Sequence, residues 1–166
     1  MITSYRYSDE LKLLDLIGKR ITSIEISQCD LFLLIKYESK GQPFYMILQG
    51  NEDCHIVTHW ESIEGRDCLV DADVMFVGLT DQIETHPTPE GYPDYGQYEI
   101  EGEVYQAIVI STHKGRCQIE MRTENEQYYG LSYSVFVNEM PYVAWDKKKE
   151  NCIPEDSLPW KEFKDK

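Results

Sequence analysis

Twice in this chain a run of aliphatic, aromatic and β-branched residues reaches a Lys-Gly step and returns on a second such run. Leu31 to Glu38 turns through Ser39-Lys40-Gly41-Gln42 into Phe44-Tyr45-Met46-Ile47-Leu48, and Val104 to Thr112 turns through His113-Lys114-Gly115 into Cys117 to Thr123. Strand formers bounded by a glycine turn, which readily supplies a positive φ, read as antiparallel hairpins. Two hairpins could descend from a divergent internal duplication; glycine hairpin turns are also common enough to arise twice. Further strands are expected where Ile24 and Ile26 alternate with Ser23, Glu25 and Ser27, at Asp73 to Leu79, and at Tyr128 to Val137 after a turn near Asn125. Pro43 suits the first residue of a return strand or a sheet edge.

Helix is the minor component. Ser8-Asp9-Glu10 precedes Leu11, Leu13, Leu14, Leu16 and Ile17 and is closed by Gly18, which supplies a capping serine, acids in the first turn and a terminating glycine. In the less regular segment Asn51 to Arg66, Trp60 and Ile63 are expected to anchor one or two turns of a second helix. With 166 residues, 42% of them hydrophobic, residues 1–166 make one domain with a sizeable core. The expected class is α+β, mainly β: an antiparallel sheet in a sandwich or half-open barrel, with one or two short helices. Residues 138–166 are expected to form a C-terminal tail docked on the domain through Trp145 and Trp160, with Lys147-Lys148-Lys149 as a solvated element.

Charge narrows the function. The net charge is −14, and the forty-seven residues from Asp67 to His113 contain ten Asp or Glu and no Lys or Arg. Phosphate recognition depends on Lys and Arg displacing counterions, so direct contact with nucleic acid or an anionic membrane is not expected. The same field speeds encounter with a basic protein, of which the nucleic-acid-facing surface of a nuclease is one source; it also keeps a protein soluble. Residues 81–102 read as an acidic loop in which Pro and Gly fix the backbone, Tyr supplies contact area at low entropic cost and carboxylates supply the field. The candidate partner-binding residues are Tyr92, Asp94, Tyr95, Tyr98, Glu99, Glu101 and Glu103. A long connection with its tyrosines folded back on the domain would have the same composition.

Signals for chemistry are weaker. Cys54-His55-x-x-x-His59 would place two imidazoles on one helix face with a thiolate nearby for zinc, but Ile56 and Val57 stand where a zinc-protease motif needs its glutamate. Asp71 with Asp73, or Glu99, Glu101 and Glu103, could line one strand face and hold a divalent cation. Metal nucleases also need a lysine or histidine placed close to such carboxylates, and their substrates need cationic surroundings, which this stretch lacks in primary sequence. No Gly-x-Ser-x-Gly, Walker or dinucleotide-binding motif occurs. A binding protein is therefore expected rather than an enzyme, with no cofactor and no metal. No secretory signal follows Met1 to Tyr7, and no apolar run approaches the length of a bilayer span. Cys29, Cys54, Cys68, Cys117 and Cys152 are odd in number and scattered, as reduced thiols in a cytoplasmic protein would be.

Gly18-Lys19-Arg20-Ile21, Gln49 to Cys54, Trp60 with Ile63 and Gly65, Lys114-Gly115, and Asn125 to Gly130 ending in Tyr128-Tyr129-Gly130 together resemble an uncharacterised group of small phage and bacterial β-rich domains. The resemblance covers Gly18 to Val137, and the chain departs from the group at Gly50 to Cys54, where it carries inserted residues. It brings no activity with it. What it implies is an accessory product of the conflict between bacteria, toxins and phages. The function expected is a stoichiometric acidic binding protein, an immunity or antitoxin-type inhibitor that neutralises a basic toxin nuclease by protein–protein contact. A phage-encoded inhibitor of a bacterial defence nuclease and a small metal-dependent hydrolase are the alternatives.

Overall fold

The computed structural model describes residues 3–53, 56–81, 83–85, 103–124, 131–142 and 150–165. One helix, α1 (Thr3–Leu14), precedes eleven described strands: β1 (Arg20–Ile26), β2 (Phe32–Ser39), β3 (Gln42–Gly50), β4 (Glu52–Asp53), β5 (Ile56–Glu64), β6 (Ala72–Leu79), β7 (Ile83–Thr85), β8 (Glu103–Thr112), β9 (Gly115–Glu124), β10 (Tyr133–Val137) and β11 (Lys161–Glu162). Both Lys-Gly hairpins form, as β2–β3 and β8–β9, with Lys40 and Gly41 at φ 51° and 76° in the first turn. Nine strands run in the order β10-β3-β2-β1-β6-β8-β9-β5-β4, all antiparallel, while β11 pairs with β1 and β7 with β8.

β1 is the seam of this sheet. One of its edges carries β2; the other meets β6 at Arg20 and Ile21 and β11 at Glu25 and Ile26. Two halves, β10-β3-β2-β1 and β6-β8-β9-β5-β4, are thus joined by a short ladder and face a common core. Ile24, Leu33, Ile35, Met46 and Leu48 from the first half share one buried cluster with Trp60, Ile63, Ile108, Ile110, Ile119 and Met121 from the second. Trp60 links them most directly. Its indole Nε1–H donates to the Leu48 carbonyl at 3.1 Å, its backbone N–H donates to the Asp30 carbonyl at 2.8 Å, and its ring meets Tyr133 edge-on at 6.0 Å. Gly50 permits the approach, because a Cβ there would collide with the Thr58 carbonyl. The sheet is rolled about one core without closing, an arrangement between the sandwich and the half-open barrel.

The segment expected to hold a second helix is β4 and β5 instead. A register shift between Trp60 and Ser62 is the reason for the difference. The bulge adds a residue, so that the core-facing Trp60 and Ile63 stand three apart, a spacing that imitates a helix face. The first helix is real but displaced. It ends at Leu14, Ser8 lies inside it rather than at its cap, and Leu16 and Ile17 belong to the turn that Gly18 completes at φ 82°.

α1 covers the outer edge of β10. The Val135 N–H donates to Asp9 Oδ1 at 3.1 Å and Lys12 Nζ donates to the Val135 carbonyl at 3.1 Å, so side chains satisfy a strand edge that would otherwise invite pairing with another chain. Burial pushes the Asp9 carboxyl above its ordinary range, against the lowering effects of the Val135 N–H and Lys12. On β2, apolar residues are continuous because both faces are covered. Leu33, Ile35 and Tyr37 face the main core, while Phe32 and Leu34 join Ile47 and Ile153 in a second cluster, against which Trp160 packs. The C-terminal segment is held further by β11, by buried Phe163, by an Arg66–Glu162 ion pair at 2.8 Å, and by Asp165, which accepts the N–H groups of Gly65 and Arg66 at 3.0 Å each. Among the described residues no helix is long and apolar enough to cross a membrane.

Candidate protein-binding face

The outer surface of the second half, on the side of the sheet away from the main core, has a regular plan. Register places Ile83, Tyr105, Arg122 and His59 side by side across β7, β8, β9 and β5. Directly paired residues share a face, and alternate residues along β8 do as well, so Tyr105, Ala107, Val109 and Ser111 line the same surface. Beside them along β9 stand Arg122, Glu120, Gln118 and Arg116.

A charged network occupies the β5–β9 side. His59 Nε2 and Glu61 Oε2 are 2.9 Å apart, Arg122 lies 3.7 Å from Glu61 and 3.8 Å from Glu120, and the Ser62 hydroxyl donates to Glu120 at 3.3 Å. The Arg122 guanidinium also sits 4.3 Å from the centre of the Tyr105 ring, a cation–π distance. The bulge that disguised β5 brings Glu61 to this network. Exposed Glu64, opposite Gln118, extends this band of carboxylates toward Arg116. At the far end of the face, register puts Glu103 opposite Glu124. The opposite end carries the exposed Arg116 beside Ser111.

The β6–β7 side is apolar. Met75, Ile83 and Phe76 are 65%, 60% and 54% exposed, more than any other large hydrophobic side chain among the described residues. A register slip between Val74 and Phe76 leaves the consecutive Met75 and Phe76 both outside, and the Phe76 ring lies over Gly78, where a Cβ would be 2.8 Å from its Cζ. Phe76 pairs with Ser111 and Ile83 with Tyr105, six residues apart on β8, so this apolar margin is roughly 20 Å long. Between margin and network the floor is Ala107 and Val109, both buried.

Of the residues that sequence singled out for partner binding, Tyr92, Asp94, Tyr95, Tyr98, Glu99 and Glu101 lie outside the described residues, and Glu103 is the first residue of β8. The zinc reading changes. His55 and Cys54 lie outside the described residues, and His59 stands in a strand against Glu61, so the shared helix face on which that reading depended is not formed from Ile56 onward. Asp71 and Asp73 do not line one strand face either: Asp71 precedes β6 at φ 59°, and only Asp73 is in the strand, opposite Arg20. No group of three potential metal ligands occurs among the described residues. Sequence reading missed Glu61, Glu120, Arg122 and the exposed pair Met75-Phe76; the run Met-Phe next to Gly78 within a strand was the available sign of a bulge. No family model matches this chain, and no curated protein or solved structure matches it.

Proposed function

We propose that this protein is a stoichiometric acidic binding protein of the immunity or antitoxin type, which neutralises a basic toxin nuclease by protein–protein contact in the cytoplasm. The observation that carries this reading is how the cations are used. Lys12, Lys36, Arg66, Arg122, Lys161 and Lys164 are each within 4 Å of a carboxylate of the same chain. Each such pair cancels one carboxylate against one cation, so the excess behind the net charge of −14 still sets the sign of the field around the protein. Such a field raises the association rate with a basic surface and repels nucleic acid, so the protein would compete with nucleic acid for the nuclease's own binding surface. The resemblance to small phage and bacterial domains fits a setting in which such inhibitors are needed.

Co-purification from the native host with tagged full-length chain, washed at low and at high salt, tests this. The expected result is one basic protein in near-equal amount, with nuclease activity that is absent in the complex and restored on separation. Recovery of an acidic partner, or of a basic protein whose activity is unchanged in the complex, would contradict the proposal.

A further inference from the structure

The outer face of the second half carries the features of an interface. It has an apolar margin of Met75, Phe76 and Ile83, a buried floor of Ala107 and Val109, and a carboxylate-rich band of Glu61, Glu64 and Glu120. Exposed apolar patches on soluble proteins, above all those bordered by polar residues, commonly mark contact sites. The corresponding surface of the first half carries apolar Phe32, Leu34 and Ile47, and there the chain supplies its own cover in Ile153 and Trp160.

We infer that this face is the docking surface for the partner, and that the partner is a protein presenting an arginine-bearing basic patch with apolar groups at one side. The inference rests on the proposed function and adds the location and the contact chemistry. Charge complementarity selects the occupant: Arg122 is already engaged by Glu61, Glu120 and the Tyr105 ring, and Glu61, Glu64 and Glu120 outnumber the two guanidinium groups described on this face, Arg122 and Arg116. Arginine suits such a face better than lysine because a planar guanidinium can pair with a carboxylate and stack on an aromatic ring or an aliphatic side chain together. Arg116 at the Ser111 end and Arg122 at the Tyr105 end bound the band, so the partner's positive charge is directed at Glu61, Glu64 and Glu120 between them.

Two measurements on the full chain decide this. The first follows backbone amide resonances during titration with an oligo-arginine peptide at low salt. Shifts concentrated at Ile83, Tyr105, Glu120, Arg122 and Glu64 are expected. Shifts concentrated instead at the C-terminal segment would overturn the location while leaving the acidic-binder reading standing; no binding anywhere would remove that reading as well. The second compares Ile83→Arg combined with Glu64→Lys against Glu155→Lys combined with Asp156→Lys, four residues that are all exposed. Capture of the co-purifying basic protein should weaken by at least ~10-fold, or about 1.4 kcal/mol, in the first pair and by much less in the second. Equal losses in the two pairs would show a diffuse charge effect and contradict a defined face.

Discussion

The two halves of the sheet treat their outer surfaces in opposite ways. β2 and β3 turn Phe32, Leu34 and Ile47 outward, and the C-terminal segment returns to cover them with Ile153 and Trp160. β8 and β9 turn outward a surface whose apolar residues lie on the margin and whose band is charged, with Met75, Phe76 and Ile83 in solvent. A surface that must be buried for stability attracts a segment of its own chain. A surface that is stable exposed, yet carries apolar groups beside charge, is suited to another molecule. The difference predicts that mutations on the first surface act on folding and those on the second act on binding.

The largest effect should fall where the halves meet. Trp60→Ala removes the side chain that bonds Leu48 and contacts Tyr133, and should cost about 3–5 kcal/mol in urea unfolding. A loss near zero would mean that the halves do not depend on a common core. Next comes the contrast itself: Ile153→Ala on the covered surface should cost about 2–4 kcal/mol, whereas Ile83→Ala, 60% exposed, should stay within about 0.5 kcal/mol. Similar costs for the two would break the comparison.

A smaller effect concerns α1. Asp9→Ala removes the acceptor of the Val135 N–H and should cost about 1–2 kcal/mol, while Asp9→Asn keeps an acceptor and relieves a buried charge, so it should cost less at neutral pH. Because burial raises the folded pKa of Asp9, the protonated form is favoured by folding; this contribution is present below the unfolded value of 3.8 and declines as pH rises through the raised folded value. Chemical denaturation of wild type and Asp9→Asn across that interval should therefore show diverging pH profiles. Identical profiles would leave Asp9 without the role assigned to it.

The smallest effect at neutral pH is on thiol chemistry. Burial pushes the Cys117 thiol up to about 12, with Asp165 and Cys68 adding to the rise and Arg66 opposing it. Cys117 should resist a thiol reagent in the native protein near pH 8 while the exposed Cys29 reacts. The raised pKa also means that its contribution to stability is full below pH 9.0 and falls as pH rises toward about 12. Rapid labelling of Cys117 in the native state would show that the β9 core is open.

The strands were legible where local chemistry and tertiary demand agree. The run Leu31 to Glu38 reads as a strand because β2 is covered on both faces, and the Lys-Gly turns mark both hairpins. Two features were hidden. The bulge at Glu61 shifted Trp60 and Ile63 to a helix-like spacing, and the slip at Met75 placed consecutive apolar residues outside. The charged network was also illegible, because Glu61, Glu120 and Arg122 meet only through the pairing of β5 with β9, separated by about sixty residues in sequence. The proposed kind of partner is read from charge composition; the proposed place for it is read from strand register.

The most direct test is the association rate constant of the co-purifying basic protein, measured from about 50 mM to about 500 mM salt for wild type and for Glu61→Gln/Glu64→Gln/Glu120→Gln. The account predicts steep slowing with salt for wild type, by about 10-fold or more, and a slower, much flatter response for the variant. A rate indifferent to salt, or a variant that associates as wild type does, would contradict an acidic docking face on β5, β8 and β9.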